Sequence, residues 1–196
     1  MIDFKKTVRP FSMVCAIALG MVVQASAQEA NLPGGASSLT ETHANWTVAC
    51  RSLEVKDAAD GAKKAREPDQ VAPAHLCALT QRQVTEKGEH VLSVELQAEG
   101  DGLKGVFVLP FGLALAKGMT LQIDEGERIE ALAFSTCVPS GCIVPLTGDS
   151  AMVDALRLGQ ALNVLVSDRT GQALKFVISL TGFTSAFDRV REFTLN

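Results

Sequence analysis

Large apolar and polar residues alternate with a period of two through most of the chain after position 45. Asn45-Trp46-Thr47-Val48-Ala49-Cys50 opens the pattern, with Trp46, Val48 and Cys50 on one face of a strand. The cleanest stretch is 90–98, where Leu92, Val94, Leu96 and Ala98 alternate with Ser93, Glu95 and Gln97. The same rule predicts strands over 76–84, 103–109, 119–124, 128–136, 142–146, 161–167 and 173–180, with a shorter piece at 113–116. Glycine-centred turns separate them: Glu86-Lys87-Gly88-Glu89, Glu99-Gly100-Asp101-Gly102, Lys117-Gly118, Glu125-Gly126-Glu127 and Asp168-Arg169-Thr170-Gly171. Pro110-Phe111-Gly112 ends a strand, because proline has no N–H to give a ladder.

Two segments switch to helical spacing. Asp149 or Ser150 is placed to cap a two-turn helix with Met152, Ala155 and Leu156 at helical spacing and Gly159 as its C-terminal stop. From Gly182 a short helix capped by Thr184 or Ser185 puts Phe183, Phe187 and Val190 on one face. Roughly nine short strands with one or two short helices, and no alternation of strand with long helix, predict an all-β fold. We expect an antiparallel β-sandwich of jelly-roll-like kind.

The ends and one interior stretch depart from this pattern. Lys5, Lys6 and Arg9 precede an apolar run over 11–23, and Ala25-Ser26-Ala27 follows as a small-x-small cleavage site. Residues 1–27 therefore read as a secretory signal peptide. The apolar run is about a dozen residues, short of the roughly 20 that a spanning helix needs. Cys15 is an ordinary member of it, since Ser12-Met13-Val14 lacks the small residue that precedes a lipidated cysteine. Residues 28–44 are small and polar and read as a flexible leader. Residues 51–74, rich in Ala, Lys, Asp and Glu, read as an exposed insertion within a β domain over 45–191.

Charge narrows the partners. The chain carries 18 Lys+Arg and 22 Asp+Glu, a net charge of −4. Cleavage after Ala27 removes Lys5, Lys6, Arg9 and Asp3 and leaves an acidic mature chain. Lys63-Lys64-Ala65-Arg66 is flanked by Asp57, Asp60, Glu67 and Asp69, so it makes no basic face for nucleic acid or an anionic membrane. No second apolar run of spanning length follows the signal.

Four cysteines remain: Cys50, Cys77, Cys137 and Cys142. An even count in an exported chain reads as disulfides, with three pairings open. Cys50–Cys77 and Cys137–Cys142 are preferred because each links neighbours along the chain. Loop-closure entropy assigns them about 3.6 and about 2 kcal/mol. Val138, Pro139, Ser140 and Gly141 then form a covalently closed turn, the candidate interaction site.

Catalytic readings are weaker. A thiol–disulfide enzyme using Cys137 and Cys142 is the alternative, but redox pairs of the thioredoxin kind have two intervening residues and a helix start, and four residues intervene here. His43, His75 and His90 form no metal-ligand spacing. Ser140 lies in no G-x-S-x-G motif, and no sequence feature places a base beside it. Asp124, Glu125 and Glu127 cluster in a turn, where solvated carboxylates are ordinary. We expect no enzyme, no cofactor and no metal.

The ordered set of motifs resembles the invasion-associated locus B family of exported alphaproteobacterial proteins. The pieces are W-x-V-x-C at 46–50, C-x-x-x-Q at 77–81 and Pro110-Phe111-Gly112. Leu115, Gly118 and Leu121-Gln122-Ile123-Asp124 follow, then Phe134, Cys137, Gly141 and Cys142. Ser179-Leu180-Thr181-Gly182-Phe183 with Ala186 closes the set. The resemblance implies a β-rich protein of the periplasm, cell surface or medium. Some members of the family are linked to host-cell invasion, and it brings no catalytic residues to carry over. The expected function is an exported, non-catalytic binding module whose partner is an unknown protein or envelope component.

Overall fold

The computed structural model describes residues 32–52 and 75–194. The signal peptide and nearly all of the 51–74 insertion lie outside the described residues. In chain order the elements are β1 (Ser38–His43), β2 (Trp46–Ser52), β3 (His75–Val84), β4 (His90–Glu99), β5 (Gly102–Leu109), β6 (Met119–Ile123) and β7 (Arg128–Leu132). They continue with β8 (Thr136–Val138), β9 (Gly141–Gly148), α1 (Ser150–Leu158), β10 (Ala161–Ser167), β11 (Ala173–Ser179) and α2 (Phe183–Thr194). A seven-stranded sheet has the order β1-β2-β3-β4-β5-β9-β8, and a four-stranded sheet the order β11-β10-β6-β7. Every pairing is antiparallel. The expected all-β antiparallel class is what the chain forms.

One face of the large sheet supplies most of the core. Trp46 and Val48, Leu79, Leu92, Val94 and Leu96, Phe107 and Val144 are all buried there. The register explains this, since Leu79 faces Leu96 and Val94 faces Phe107, which faces Val144. Helix α2 lies against β2, β3 and β4 and buries Phe183, Ala186, Phe187 and Val190. Helix α1 covers β5 and β9 with Val153 and Leu156. The small sheet closes the remainder with Met119, Leu121, Leu162, Val164 and Ile178. Trp46 is fully buried, as a core anchor should be, and meets Phe183 edge-on at 5.5 Å.

The two sheets are joined at a corner by side chains that act as a surrogate strand. Gln81 Nε2 donates to the Ser179 carbonyl at 2.9 Å, and Ser179 N–H donates to Gln81 Oε1 at 3.2 Å. Trp46 Nε1–H donates to the same carbonyl at 3.0 Å, and Gln83 reaches the Val177 carbonyl. These contacts occupy the edge of β11 that β10 leaves unpaired.

Four local expectations are corrected. Residues 38–43, assigned to the leader, form β1, which pairs along its whole length with β2. Its inward positions are Leu39, Glu41 and His43. Two of these are polar and find partners on α2, so no apolar alternation marks the strand. Arg189 donates to Glu41 from Nε and Nη2, both at 2.8 Å, and His43 Nδ1 lies 3.2 Å from Ser185 Oγ. The stretch 128–136 is not one strand. β7 pairs with β6 and β8 with β9, because a bulge beside Met119/Leu121, with Ala131 at φ 62°, turns the chain from one sheet to the other. Residues 113–116 give a single bridge from Leu113 to Asp168 and then a 3₁₀ turn. Neither Thr184 nor Ser185 caps α2, which already starts at Phe183; Ser185 Oγ donates back to the Gly182 carbonyl at 3.1 Å.

Helix α1 starts as expected, with Asp149 Oδ1 accepting from Met152 N–H at 2.9 Å. Gly159 ends it for a different reason than the left-handed stop. Its φ is −75°, but a Cβ there would lie 2.5 Å from Ile123 Cγ2.

Truncating Gln81 to alanine strips both partners supplied by one side chain from Ser179. The variant should lose about 1–3 kcal/mol in urea unfolding, more than Gln83→Ala. Equal losses would remove the corner from its proposed role. A second outcome concerns Glu41, whose carboxyl is held below its ordinary pKa by the Arg189 hydrogen bonds, opposed by partial burial and helped by His43. A carboxyl depressed in the folded state adds stability above its unfolded pKa and loses it as the pH falls through the folded value. The Tm gap between wild type and Arg189→Gln should therefore narrow between about pH 6 and about pH 3. A gap independent of pH would show that the ion pair contributes nothing.

Candidate functional site

Both cysteine pairs form disulfides, Cys50 with Cys77 and Cys137 with Cys142. Each joins residues that face one another across adjacent strands, β2 to β3 and β8 to β9. The first is buried in the core. The second closes the hairpin in which Val138 pairs with Gly141, leaving Pro139 and Ser140 as a two-residue loop. Gly141 has φ 141°, and a Cβ there would lie 2.4 Å from the Leu109 carbonyl oxygen. Only glycine lets this hairpin seat so closely on the end of β5.

The redox alternative finds no support in this geometry. Cys142 is 3 % exposed, in the middle of a sheet pairing with Leu109, and the next helix begins only at Ser150. Cys137 on the edge strand β8 is exposed, but neither cysteine stands at the helix start that redox pairs of the thioredoxin kind use.

Pro139 and Ser140 overhang a recess of about 430 Å³ on the outer face of the large sheet. This face is opposite to the one that α1, α2 and the small sheet cover. The floor is the cross-strand row Arg82, Ser93 and Val108. Pro110 and Phe111 form a second wall. Phe111 is 61 % exposed, yet its loop is anchored at both ends: β5 precedes it, and Arg169 N–H donates to the Gly112 carbonyl at 3.2 Å. Ala114 N–H also donates to the Ser167 carbonyl at 2.8 Å. The aromatic ring is thus presented by a fixed backbone.

His90 completes the recess through an irregularity. Strict alternation along β4 would turn His90 to the inner face with Leu92. A bulge at Gln83/Val84 shifts the register by one residue, so that Val84 faces His90. The imidazole then shares the outer face with Ser93, with Nε2 3.2 Å from Ser93 Oγ. Partial burial and the nearby Arg82 charge lower the His90 pKa, which favours the neutral ring. Among the described residues Arg82 forms no ion pair.

The other candidates are dispersed. His43 sits on β1, His75 on β3 near Ser52, and His90 on β4. Among the described residues no group of three His, Cys, Asp or Glu is placed to hold a metal ion. Asp124 is a structural clamp: at φ 50° its carboxylate accepts from the Gln160 and Ala161 N–H groups at 3.1 and 2.9 Å. Glu125 and Glu127 are exposed beside it. Among the described residues no helix is long and apolar enough to cross a membrane.

The turn at 138–141 was legible from its cysteines. Arg82, His90, Ser93 and Phe111 were not. Ser93 reads only as an outward position, and His90 depends on a bulge that nothing in the local pattern announces. The available signal was Phe111 itself, a large aromatic residue set between proline and glycine in a loop.

An antiparallel two-sheet domain with cross-strand disulfides and an open recess above one hairpin defines a disulfide-pinned β scaffold. The family model described as "Invasion associated locus B (IalB) protein" matches residues 46–191. An invasion protein B homolog from Brucella abortus strain 2308 is 40% identical over 172 residues, covering 86% of this chain and 88% of that protein. Invasion protein B of Bartonella bacilliformis is 31% identical over 165 residues, covering 82% and 79% of the two chains. The crystal structure of invasion associated protein B from Bartonella henselae superposes with a TM-score of 0.64 at 29% identity, over 78% of this chain and 94% of that one. The chain belongs to the invasion associated locus B family.

The two bridges differ in what they hold. Replacing Cys50 and Cys77 together by alanine should cost more than the corresponding change at Cys137 and Cys142, about 3.6 against about 2 kcal/mol of loop entropy. Thermal unfolding of both double variants measures the order, and a reversed order would count against the loop-entropy account.

Proposed function

We propose that the protein is exported across the inner membrane and acts in the periplasm or at the cell surface as a non-catalytic binding module for a protein partner. One observation carries this reading. The disulfide-closed turn at 138–141 and the exposed Phe111 stand on a fixed frame at the rim of one recess, on the sheet face that the helices and the second sheet leave open among the described residues. Rigid apolar groups around a polar floor bind with little ordering cost. Two disulfides and the amino-terminal signal pattern support the oxidising compartment. The family relatives named for invasion support a partner outside the cytoplasm.

The experiment has two arms. Protein recovered from the envelope and medium fractions should begin at Gln28 and carry both bridges, as non-reducing mass spectrometry reads directly. The mature chain should then capture a protein from envelope extract or host-cell lysate, and the Phe111→Ala/Pro139→Gly double variant should retain at least about tenfold less of it. A mature chain that starts at Met1 and stays in the cytoplasm sinks the compartment. Capture that is absent, or equal for both proteins, sinks the binding surface.

A further inference from the structure

The recess is asymmetric, and the asymmetry defines a ligand. Its polar end is built by Arg82 on β3 with His90 and Ser93 on β4. Its apolar end is built by Val108, Pro110 and Phe111 with Pro139 of the hairpin. The row from Arg82 through Ser93 to Val108 crosses three strands, so the two ends are about 10 Å apart. Arg82 is exposed on the outer face and carries its charge without an ion-pair partner among the described residues. A guanidinium that no carboxylate of its own chain occupies can offer an incoming anion two parallel hydrogen bonds.

The charge of that anion is limited. Glu95 follows Ser93 on the same face, about 7 Å along β4, and the whole chain is acidic. A second negative charge in the recess would meet this field without a second permanent cation among the lining residues. A singly charged carboxylate fits better than a phosphate dianion. The form of the recess points to how the carboxylate arrives. At about 430 Å³ it lies at the small end of ligand pockets, and Phe111, Pro139 and Ser140 on its rim are exposed. It touches its occupant from one side, as suits one or two residues presented by a larger chain.

We propose that the recess is a carboxylate-recognition site for an acidic residue or chain terminus of a protein partner, with an apolar residue beside the carboxylate. This rests on the binding-module reading given above. Arg82 pairs with the carboxylate. With its proton on Nε2, His90 donates to Ser93 Oγ and leaves the Ser93 hydroxyl proton for the ligand. Phe111, Pro110 and Pro139 pack the apolar neighbour, and the Cys137–Cys142 bridge keeps that wall in place.

Three small probes test this on the isotope-labelled mature chain by NMR titration. N-acetyl-Phe-Glu-amide carries a side-chain carboxylate, N-acetyl-phenylalanine a terminal one, and N-acetyl-Phe-Gln-amide neither. The carboxylate probes should shift the resonances of His90, Ser93, Phe111 and Ser140 and bind about tenfold more tightly than the amide control. The tighter of the two identifies whether a side chain or a terminus is read. Arg82→Gln, which keeps its place on a solvent-facing strand position, should bind all three probes equally and retain a folded spectrum. Ser93→Ala should reduce the carboxylate preference without abolishing it. Phe111→Ala should weaken all three alike.

Wild-type binding in which neither carboxylate probe exceeds the Gln probe overturns the proposal. So does a carboxylate preference that survives Arg82→Gln, a shift confined to other surfaces, or no shift up to about 10 mM. If partner capture persists in the same protein while the carboxylate preference is missing, only this inference falls and the binding module stands. If capture also fails, both fall.

Discussion

The Ser179 backbone, clasped between Gln81 and Trp46, is the contact on which the arrangement of the two sheets depends. A four-stranded sheet packed beside a larger one has two edges, and an edge strand placed against protein must satisfy its N–H and C=O groups without water. Gln81 does this with one primary amide, which offers a donor and an acceptor at the spacing of a peptide group. Trp46 adds a second donor to the same carbonyl. Both side chains come from β2 and β3, the strands that the Cys50–Cys77 bridge holds in register. Four residues after Ser179 the chain enters α2, whose Phe183 packs against Trp46. The bridge, the corner and the helix start are therefore one mechanical unit, and the core behind the large sheet closes because that unit fixes where α2 begins.

Covalent and polar constraints divide the work by location. The buried bridge ties the long excursion between β2 and β3 at its base. The edge bridge shapes one hairpin. Between them one ion pair ties helix to strand and another ties helix to helix. Arg189 holds β1 to α2 through Glu41, and Arg157 holds α1 to α2 through Asp188 while lying 5.5 Å over the Phe187 ring. Burial of the inner face accounts for most of the hydrophobic stabilisation. The polar contacts specify which edge each element occupies, a role that pairs of modest strength can fill.

What the chain revealed in advance follows from how far each signal reaches along it. Period-two alternation is local, so β2, β4, β5 and β10 were readable, as was Asp149 at the start of α1. The cysteine pairing was readable because each bond spans neighbouring strands. β1 was hidden because Glu41 and His43 answer to Arg189 and Ser185, more than a hundred residues away. The break between β7 and β8 was hidden because a bulge costs one residue of register and leaves the apolar pattern almost intact. Gln81 stood out only as part of a family motif. Its use depends on β11, and no reading of residues 77–81 alone places β11 beside them.

The recess shows the same division with a further consequence. Its turn was visible, while its histidine came from a register shift and its aromatic wall from a loop tied to the β10–β11 turn. None of these features serves the core. The bulge that turns His90 outward gives up a regular pairing, Phe111 leaves an aromatic ring in water, and Gly141 takes a conformation that other residues avoid. Local regularity is normally kept wherever stability alone decides, so several departures meeting at one point call for a reason outside packing. They meet on the face that neither the helices nor the second sheet uses. A fold that spends its inner face on one continuous core and its edges on side-chain clasps leaves this outer surface, among the described residues, to the binding role proposed above.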